Sequence, residues 1–462
     1  MVGVRVSPVL ITINYLPMNK GFWIDVFIAT FFVFVVMWGI FRFTQLNFFN
    51  AFDSIGNALA DVELTDYVFW GLREDPLVDQ DIVVVNIGEL TRREVAQQVA
   101  IISKYDPKVI GIDSFFDCQG GERDTINCPQ LKDQLGNMML GEAIREAGNV
   151  ILVSRLDLTD SLRQTDTEDV FDSLELSDPL FQDNAYGHGF ANLDTEAAFQ
   201  DDVKTCRAFN PSMMVGDQRE LAFSVQMAMI YDSVQTKKFL ERDNDLEIIN
   251  YRGNVFDIFG QNNANYRNMF YTLDVQDVFT ENFVPEMIKD KIVIFGFLGR
   301  ELGDPSWSDK FYTPLNNKLA GKANPDMFGV VIHANIVSMI LSGQYINQMA
   351  AWQEFVMAFF ICLLNVALFS LIFHRLSDWY DGITKLFQVF ELLLATVLMV
   401  MIFHWYSFKL DITLTLAAVA LVGDTFEIYM GMVKRMYRKI KGLKWFTKRS
   451  EEVLTTRNTD IS

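Results

Sequence analysis

Residues 81–116 read DIVVVNIGELTRREVAQQVAIISKYDPKVIGIDSFF. The opening DIVVVNIG is a near-continuous β-branched run, the pattern of a strand buried on both faces. Val95, Val99 and Ile102 then recur on one helical face of LTRREVAQQVAIISKY, and KVIGIDSFF (108–116) is a second apolar run. Strand, helix and strand in this order predict a parallel βαβ unit. LGEAIREAG continues as a helix, and NVILVSRL (149–156) as a third strand. Further on, DKIVIFGFLG (290–299) reads as another buried strand and FGVVIHANIVSMIL (328–341) as a helix. The middle, about 157–285, is less regular. RELAFSVQMAMIYDSV (219–234) has helical amphipathicity, and LEIINYRGN (246–254) reads as a strand entering a turn. The fold class expected is one α/β domain of parallel βαβ units with inserted loops, and no internal repeat stands out.

Around this domain lie four stretches long and apolar enough to span a bilayer, which takes about 20 residues. They are 21–41, 352–373, 386–406 and 412–433. The first is too long for a signal-peptide core and has no small-residue cleavage site, so it reads as an uncleaved anchor. Charge is partitioned accordingly. The whole chain has 462 residues and a formal net charge of −20. Residues 42–348 carry 25 Lys and Arg against 48 Asp and Glu; residues 433–462 carry 9 against 3. The positive-inside rule puts the basic tail 434–462 and the N-terminus 1–20 in the cytoplasm and exports 42–348. An acidic exported block argues against nucleic-acid binding. Cys118 and Cys128 flank QGGERDTIN, a hydrophilic loop that a disulfide would staple in an oxidising compartment. Cys206 has no evident partner, and Cys362 is intramembrane.

The order of one span, a large exported α/β domain and three closely spaced spans resembles the CHASE2 family of bacterial extracellular sensory domains. Residues 81–116 look like that family's opening strand–helix–strand, ending at Asp113. GFANLD (189–194) and INYRG (249–253) are similar to its central elements. KDKIVIFGFLGRELGDPSWSDKFYTP followed by GVVIHANIVSMIL resembles its closing block, with Asp309, Thr313, Pro314, Gly329, His333 and Asn335 at the motif positions. Where members often place Asp after the first strand, this chain has Asn86. Members usually continue into a cyclase or kinase; no phosphate loop or kinase catalytic loop is present here. The resemblance implies a non-enzymatic sensory protein of the bacterial inner membrane.

Candidate residues follow. Ligands of open α/β sheets bind at the carboxyl ends of strands, which marks Asp113; the alternative is a carboxylate capping the next turn. Asp309, Thr313, His333 and Asn335 are the family-motif candidates for a ligand site, although His333 also suits a structural histidine. GFLGRELGD (296–304) lacks the spacing of a nucleotide loop and reads as a close-packed turn. No nucleophile–base–acid set and no metal-ligand spacing emerges, so neither catalysis, metal nor cofactor is expected. In the spans, Asp25, Glu391, Asp424 and Glu427 form an acidic set at similar depth, either ion- or proton-responsive, a docking face for a partner helix, or paired with Arg375, Lys434 or Arg435. The partners expected are the bilayer, other membrane or envelope proteins and an unidentified periplasmic ligand, with self-association open. A structural subunit of an envelope complex and an ion-conducting protein are the rival readings.

Overall fold

The computed structural model describes residues 20–44, 63, 65–117, 133–157, 171–193, 205–255, 268–304, 308–316, 325–433 and 435–436. Two compact units divide the chain: one on 54–347 with 402–409, the other on 1–53, 348–401 and 410–462.

The first unit is α/β. Its main elements are β1 (Asp79–Asn86), α1 (Arg92–Ser103), β2 (Val109–Ile112), α2 (Gln134–Ala147), β3 (Val150–Asp157), β4 (Ser173–Glu175), β5 (Gly187–Phe190), α3 (Phe223–Tyr231), α4 (Ser233–Leu240), β6 (Asn254–Val255), β7 (Asn268–Leu273), β8 (Ile292–Gly296), β9 (Lys310–Phe311), β10 (Met327–Phe328) and α5 (Gly329–Ser342). The main sheet runs β6-β7-β1-β8-β2-β3-β4, with β5 also paired to β3. Every pairing in it is parallel except that of β3 with β4. The predicted βαβ unit is present, but β8 inserts between β1 and β2, pairing Ile82 with Ile292 and Ile292 with Val109.

Alternation along the strands feeds two layers of helices. Val83, Val85, Ile110, Ile112 and Leu152 face α1 and α2, where they meet Val99, Ile102, Leu140 and Ile144. α1 starts on a reciprocal cap: the Thr91 hydroxyl accepts from the Glu94 N–H, and the Glu94 carboxylate accepts from the Thr91 N–H at 2.8 Å. α3 and α5 cover the opposite face. Close approach there needs glycine: a Cβ on Gly189 would lie 2.6 Å from the Phe223 Cα, and one on Gly296 2.5 Å from the Val330 Cβ. Residues 329–340 of α5 are all buried.

β2 and β8 are shorter than their apolar runs. KVIGIDSFF contributes only Val109–Ile112, because the chain turns away after Asp113. In the middle, a hairpin of Ser212–Val215 with Gln218–Leu221 takes the start of the stretch read as a helix, and α3 begins at Phe223.

The second unit contains four long apolar helices: Lys20–Thr44, Ala351–Arg375, Tyr380–Tyr406 and Thr413–Ile428, the last running into a wider turn at Tyr429–Val433. Val26, Ala29, Val33 and Met37 of the first pack with Cys362, Val366 and Phe369 of the second and Ala418, Val422 and Phe426 of the fourth. The third is peripheral: 17% of its most apolar stretch is buried, against 44% in the second and fourth. It begins at Tyr380, six residues before the expected 386. The polar side chains of Asp381 and Lys385 interrupt the apolar run without interrupting the helix.

Candidate ligand site at the carboxyl edge of the sheet

The loops after β1, β7 and β8 meet at the carboxyl edge and are tied by one amide. Asn86 Nδ2 donates to Asp274 Oδ1 (2.8 Å) and to the Gly299 carbonyl (3.1 Å). Its Oδ1 accepts from the N–H groups of Gly88 and Leu298, both at 2.9 Å. Both Nδ2 donors and the Oδ1 acceptor are used on these loops, and a neutral amide supplies this combination without a charge. The Gly-rich loop 296–304 closes on itself, with Asp304 accepting from the Arg300 N–H at 2.9 Å.

A second group lies toward α5. Asp326 is buried and accepts from the Thr313 N–H (2.8 Å), the Thr313 hydroxyl (2.6 Å) and Asn316 Nδ2 (3.4 Å). Burial outweighs these bonds and pushes its carboxyl up to about 7. Asn335 donates to the Gly253 and Val331 carbonyls, both at 2.9 Å, and accepts from the Arg252 and Gly253 N–H groups at 3.0 and 3.4 Å. His333 shares a 2.8 Å hydrogen bond with the Ser224 hydroxyl beneath the edge of Phe223, and burial lowers its pKa to about 4. The polar groups of Thr313, His333 and Asn335 are therefore spent on the protein itself. Their motif positions pin the 250–253 turn, the 313–316 turn and α3 onto α5.

Asp113 and Asp309 differ. The Asp113 N–H donates to the Phe295 carbonyl at 2.8 Å, which fixes the strand end beside β8, but its carboxyl has no hydrogen-bond partner among the described residues. Desolvation, then repulsion from Asp309, raises it to about 8. Asp309 sits in the left-handed region at φ 56, and its carbonyl accepts from the Gly329 N–H that opens α5, at 3.1 Å. Partial desolvation raises its carboxyl to about 6. Asp309 keeps exposed surface, so water screens it and Asp113 carries the larger rise. The structure thus brings together two of the five sequence candidates, at a strand end and a helix start. Asp326 escaped the sequence reading; the signal lay in its pairing with the Thr-Pro element, which is not local.

A CHASE2 domain model matches residues 30–369. The chain belongs to the CHASE2 family. Searches of curated proteins and of solved structures returned no match. CHASE2 domains are non-catalytic sensory domains, so this is a periplasmic sensing or binding domain carried by a multi-pass inner-membrane protein. Among the described residues of the CHASE2 domain and the spans, no three His, Cys, Asp or Glu side chains gather as a metal site. Cys118 and Cys128 lie outside the described residues.

The membrane acids do not form one set. Asp424 pairs with Lys385 of the third span; Lys434 lies outside the described residues. Glu391 lies nearly two turns farther along that span, about 9 Å at 1.5 Å per residue, where Asn365 reaches its carboxyl. Asp25 stands near Tyr429, and Glu427 is exposed. The third helix starts at Tyr380 rather than at the expected 386, so its extra turn and a half carries Lys385 to Asp424 and leaves Glu391 deeper.

Proposed function

We propose that this protein senses a small cationic or hydrogen-bond-donating ligand in the periplasm at Asp113 and Asp309, and passes the change through its spans to a separate partner. The observation that carries this reading is the Asp113–Asp309 pair. Its carboxyls have no hydrogen-bond partner among the described residues, at an edge where Asn86, Asp326 and Asn335 are engaged. With its carboxyl raised to about 8, Asp113 favours the protonated form at neutral pH, and an amine-bearing ligand would replace that proton's charge. α5 links the site to the membrane: its first residue bonds Asp309, its length is about 21 Å at 1.5 Å per residue, and eight residues separate it from the second span. A ligand that prefers one position of α5 would shift the population of states at the second span. Both termini would lie in the cytoplasm, where the basic tail and the spans meet the partner.

The test has two parts. Full-length protein in mild detergent is screened by thermal shift against small amines and polyamines, beside an Asp113→Asn/Asp309→Asn variant. A shift in the wild type that the variant lacks is expected; equal responses from the two sink the site. Pull-down in gentle detergent then identifies copurifying chains. A substoichiometric signalling enzyme is expected, whereas a stoichiometric envelope assembly favours a scaffold.

A further inference from the structure

The periplasmic unit contains a cavity of about 450 Å³ that shares no residue with the Asp113–Asp309 site. Its size falls in the range of small-ligand sites, roughly 300–1,000 Å³. Its walls come from the approach to β1 (73–77), the turn before β6 (Asn250 and Arg252), Gln344 just after α5, and His404 and Ser407 around the end of the third span. All of these belong to the same compact unit as the sheet. Asn250 ties the walls together: its Oδ1 accepts from Arg73 Nη1 and its Nδ2 donates to the Gln344 carbonyl, both at 2.7 Å. Arg73 Nη1 also donates to the Tyr251 carbonyl at 2.8 Å, and the guanidinium lies 4.3 Å over the Phe69 ring. The Ser407 carbonyl accepts from the Asn347 N–H at 2.9 Å, which holds the end of the span beside the exit from α5. The cavity is thus shaped before any ligand arrives, which lowers the cost of binding.

Its chemistry carries both signs. The Arg252 guanidinium donates to the Gln344 side chain through Nη1 and has no other hydrogen-bond partner among the described residues. His404 Nδ1 is buried and has no partner among them either, and a buried polar atom left so calls for an occupant. Two guanidiniums and an imidazole are donors suited to a phosphate. Glu74 and Asp75, both exposed, bring negative charge to the same space. A cavity lined by both signs fits a zwitterion better than a simple anion.

Its place in the chain points to lipid. His404 lies two residues before the third span ends at Tyr406. Trp405 and Tyr406 beside it are exposed, as aromatic side chains are at the level of the headgroups. Leu77, another lining residue, is 90% exposed. An exposed leucine next to guanidiniums suits a ligand with a polar head and an apolar tail.

We propose that this cavity binds a zwitterionic headgroup joining a phosphate to an amine, either that of phosphatidylethanolamine in the periplasmic leaflet or its soluble counterpart phosphoethanolamine. The phosphate meets Arg73, Arg252 and His404, and the amine meets Glu74 and Asp75. A bound headgroup links the 250–252 turn to the end of the third span.

Native mass spectrometry of the full-length protein, released from nanodiscs of equimolar phosphatidylethanolamine and phosphatidylglycerol, reads which lipid is retained. The wild type should retain phosphatidylethanolamine in about fivefold excess, what a partly exposed charge pair supplies. Arg252→Gln should abolish the excess; it leaves the residue's N–H on Asn335 and so keeps the turn. Glu74→Gln/Asp75→Asn, changed at exposed positions, should reverse the preference toward phosphatidylglycerol. The soluble arm is thermal unfolding in lipid-free detergent with phosphoethanolamine. A midpoint raised in the wild type and unmoved in Arg252→Gln, without a lipid preference, assigns the soluble source. Equal retention of the two lipids with no response to phosphoethanolamine overturns the site. So does a phosphatidylethanolamine excess that both variants keep unchanged.

Discussion

Asn86 ends β1 and Asp113 follows β2, on the two sides of β8, yet one is fully bonded and the other is not. Asn86 ties three loops with a neutral amide, which carries donors and acceptors into a buried place without a charge to desolvate. Asp113 gives only its backbone to the fold and keeps an acid that must hold a proton to stay there. The loops at this edge are held by amides and hydroxyls with bonded carboxyls such as Asp274, Asp304 and Asp326, and Asp113 stands apart in bonding only through its backbone. The chain's Asn at a position where CHASE2 members often carry Asp fits this division: a carboxylate at 86 would face Asp274 and the Gly299 carbonyl with no donor.

The division is easiest to break at Asn335, the most heavily bonded amide. Asn335→Leu strands the Arg252 and Gly253 N–H groups and the Gly253 carbonyl in the interior. At 1–3 kcal/mol for each stranded group, a loss of about 4 kcal/mol is expected in thermal or denaturant unfolding of the full-length protein. A loss below about 1 kcal/mol would mean that the 250–253 turn is held by other contacts.

Asn86→Asp is expected to cost about 2–3 kcal/mol near neutral pH, since it trades two donated bonds for repulsion. Acidification should restore part of it, because a protonated carboxyl regains one donor. A variant whose deficit is the same at pH 5 and pH 8 would show that the amide's geometry, not its donors, matters at this position.

Asp113→Asn has the opposite sign. An acid raised to about 8 in the folded state, from 3.8 when unfolded, holds a proton that unfolding releases. Its stability contribution is complete below pH 4 and is lost as pH rises through about 8. The Asn variant escapes this, so it should match the wild type at pH 4 and exceed it by about 1–2 kcal/mol at pH 8, after allowing for solvent near the site. His333 tilts the curve the other way: with its pKa lowered to about 4 by burial, stability is lost as pH falls from 6.5 through 4. Unfolding profiles of the two proteins that stay parallel across the pH range would remove the special status of Asp113.

Much of this contrast was readable before any coordinates. β1, β2, β3 and β8 are continuous apolar runs because both their faces are covered, and α1 announces itself through Thr91, Glu94 and the Val95–Val99–Ile102 stripe. β7 was not legible: NMFYTL mixes Asn, Tyr and Thr with its apolar residues, and it becomes a strand by lying beside β1. Nor was the place of β8, which depends on pairing Ile292 with both Ile82 and Val109, far away in the chain, and carries no local signal. Asp113 and Asp309 were each visible as acids at element ends. That their charges interact follows only from the tertiary fold, which brings the loop after β8 to the end of β2. Thr313, His333 and Asn335 looked alike as motif polar residues, and only their partners show that they hold turns and helices together.

The finest test of the contrast is Asp309→Asn. Asp309 is exposed, and asparagine accepts its left-handed φ of 56 as readily as aspartate does, so stability should move by no more than about 0.5 kcal/mol. Its effect should appear at Asp113 instead. Removing the neighbouring negative charge removes the second cause of the raised Asp113 pKa and leaves desolvation, the first, in place. In the Asp309→Asn background the advantage of Asp113→Asn should still open near pH 4, where the unfolded acid ionises, but should level off at a lower pH and a smaller value than in the Asp309-containing protein. A plateau unchanged in height and in the pH where it sets in would mean that the two acids titrate independently, and a ligand bridging them would gain nothing from their pairing.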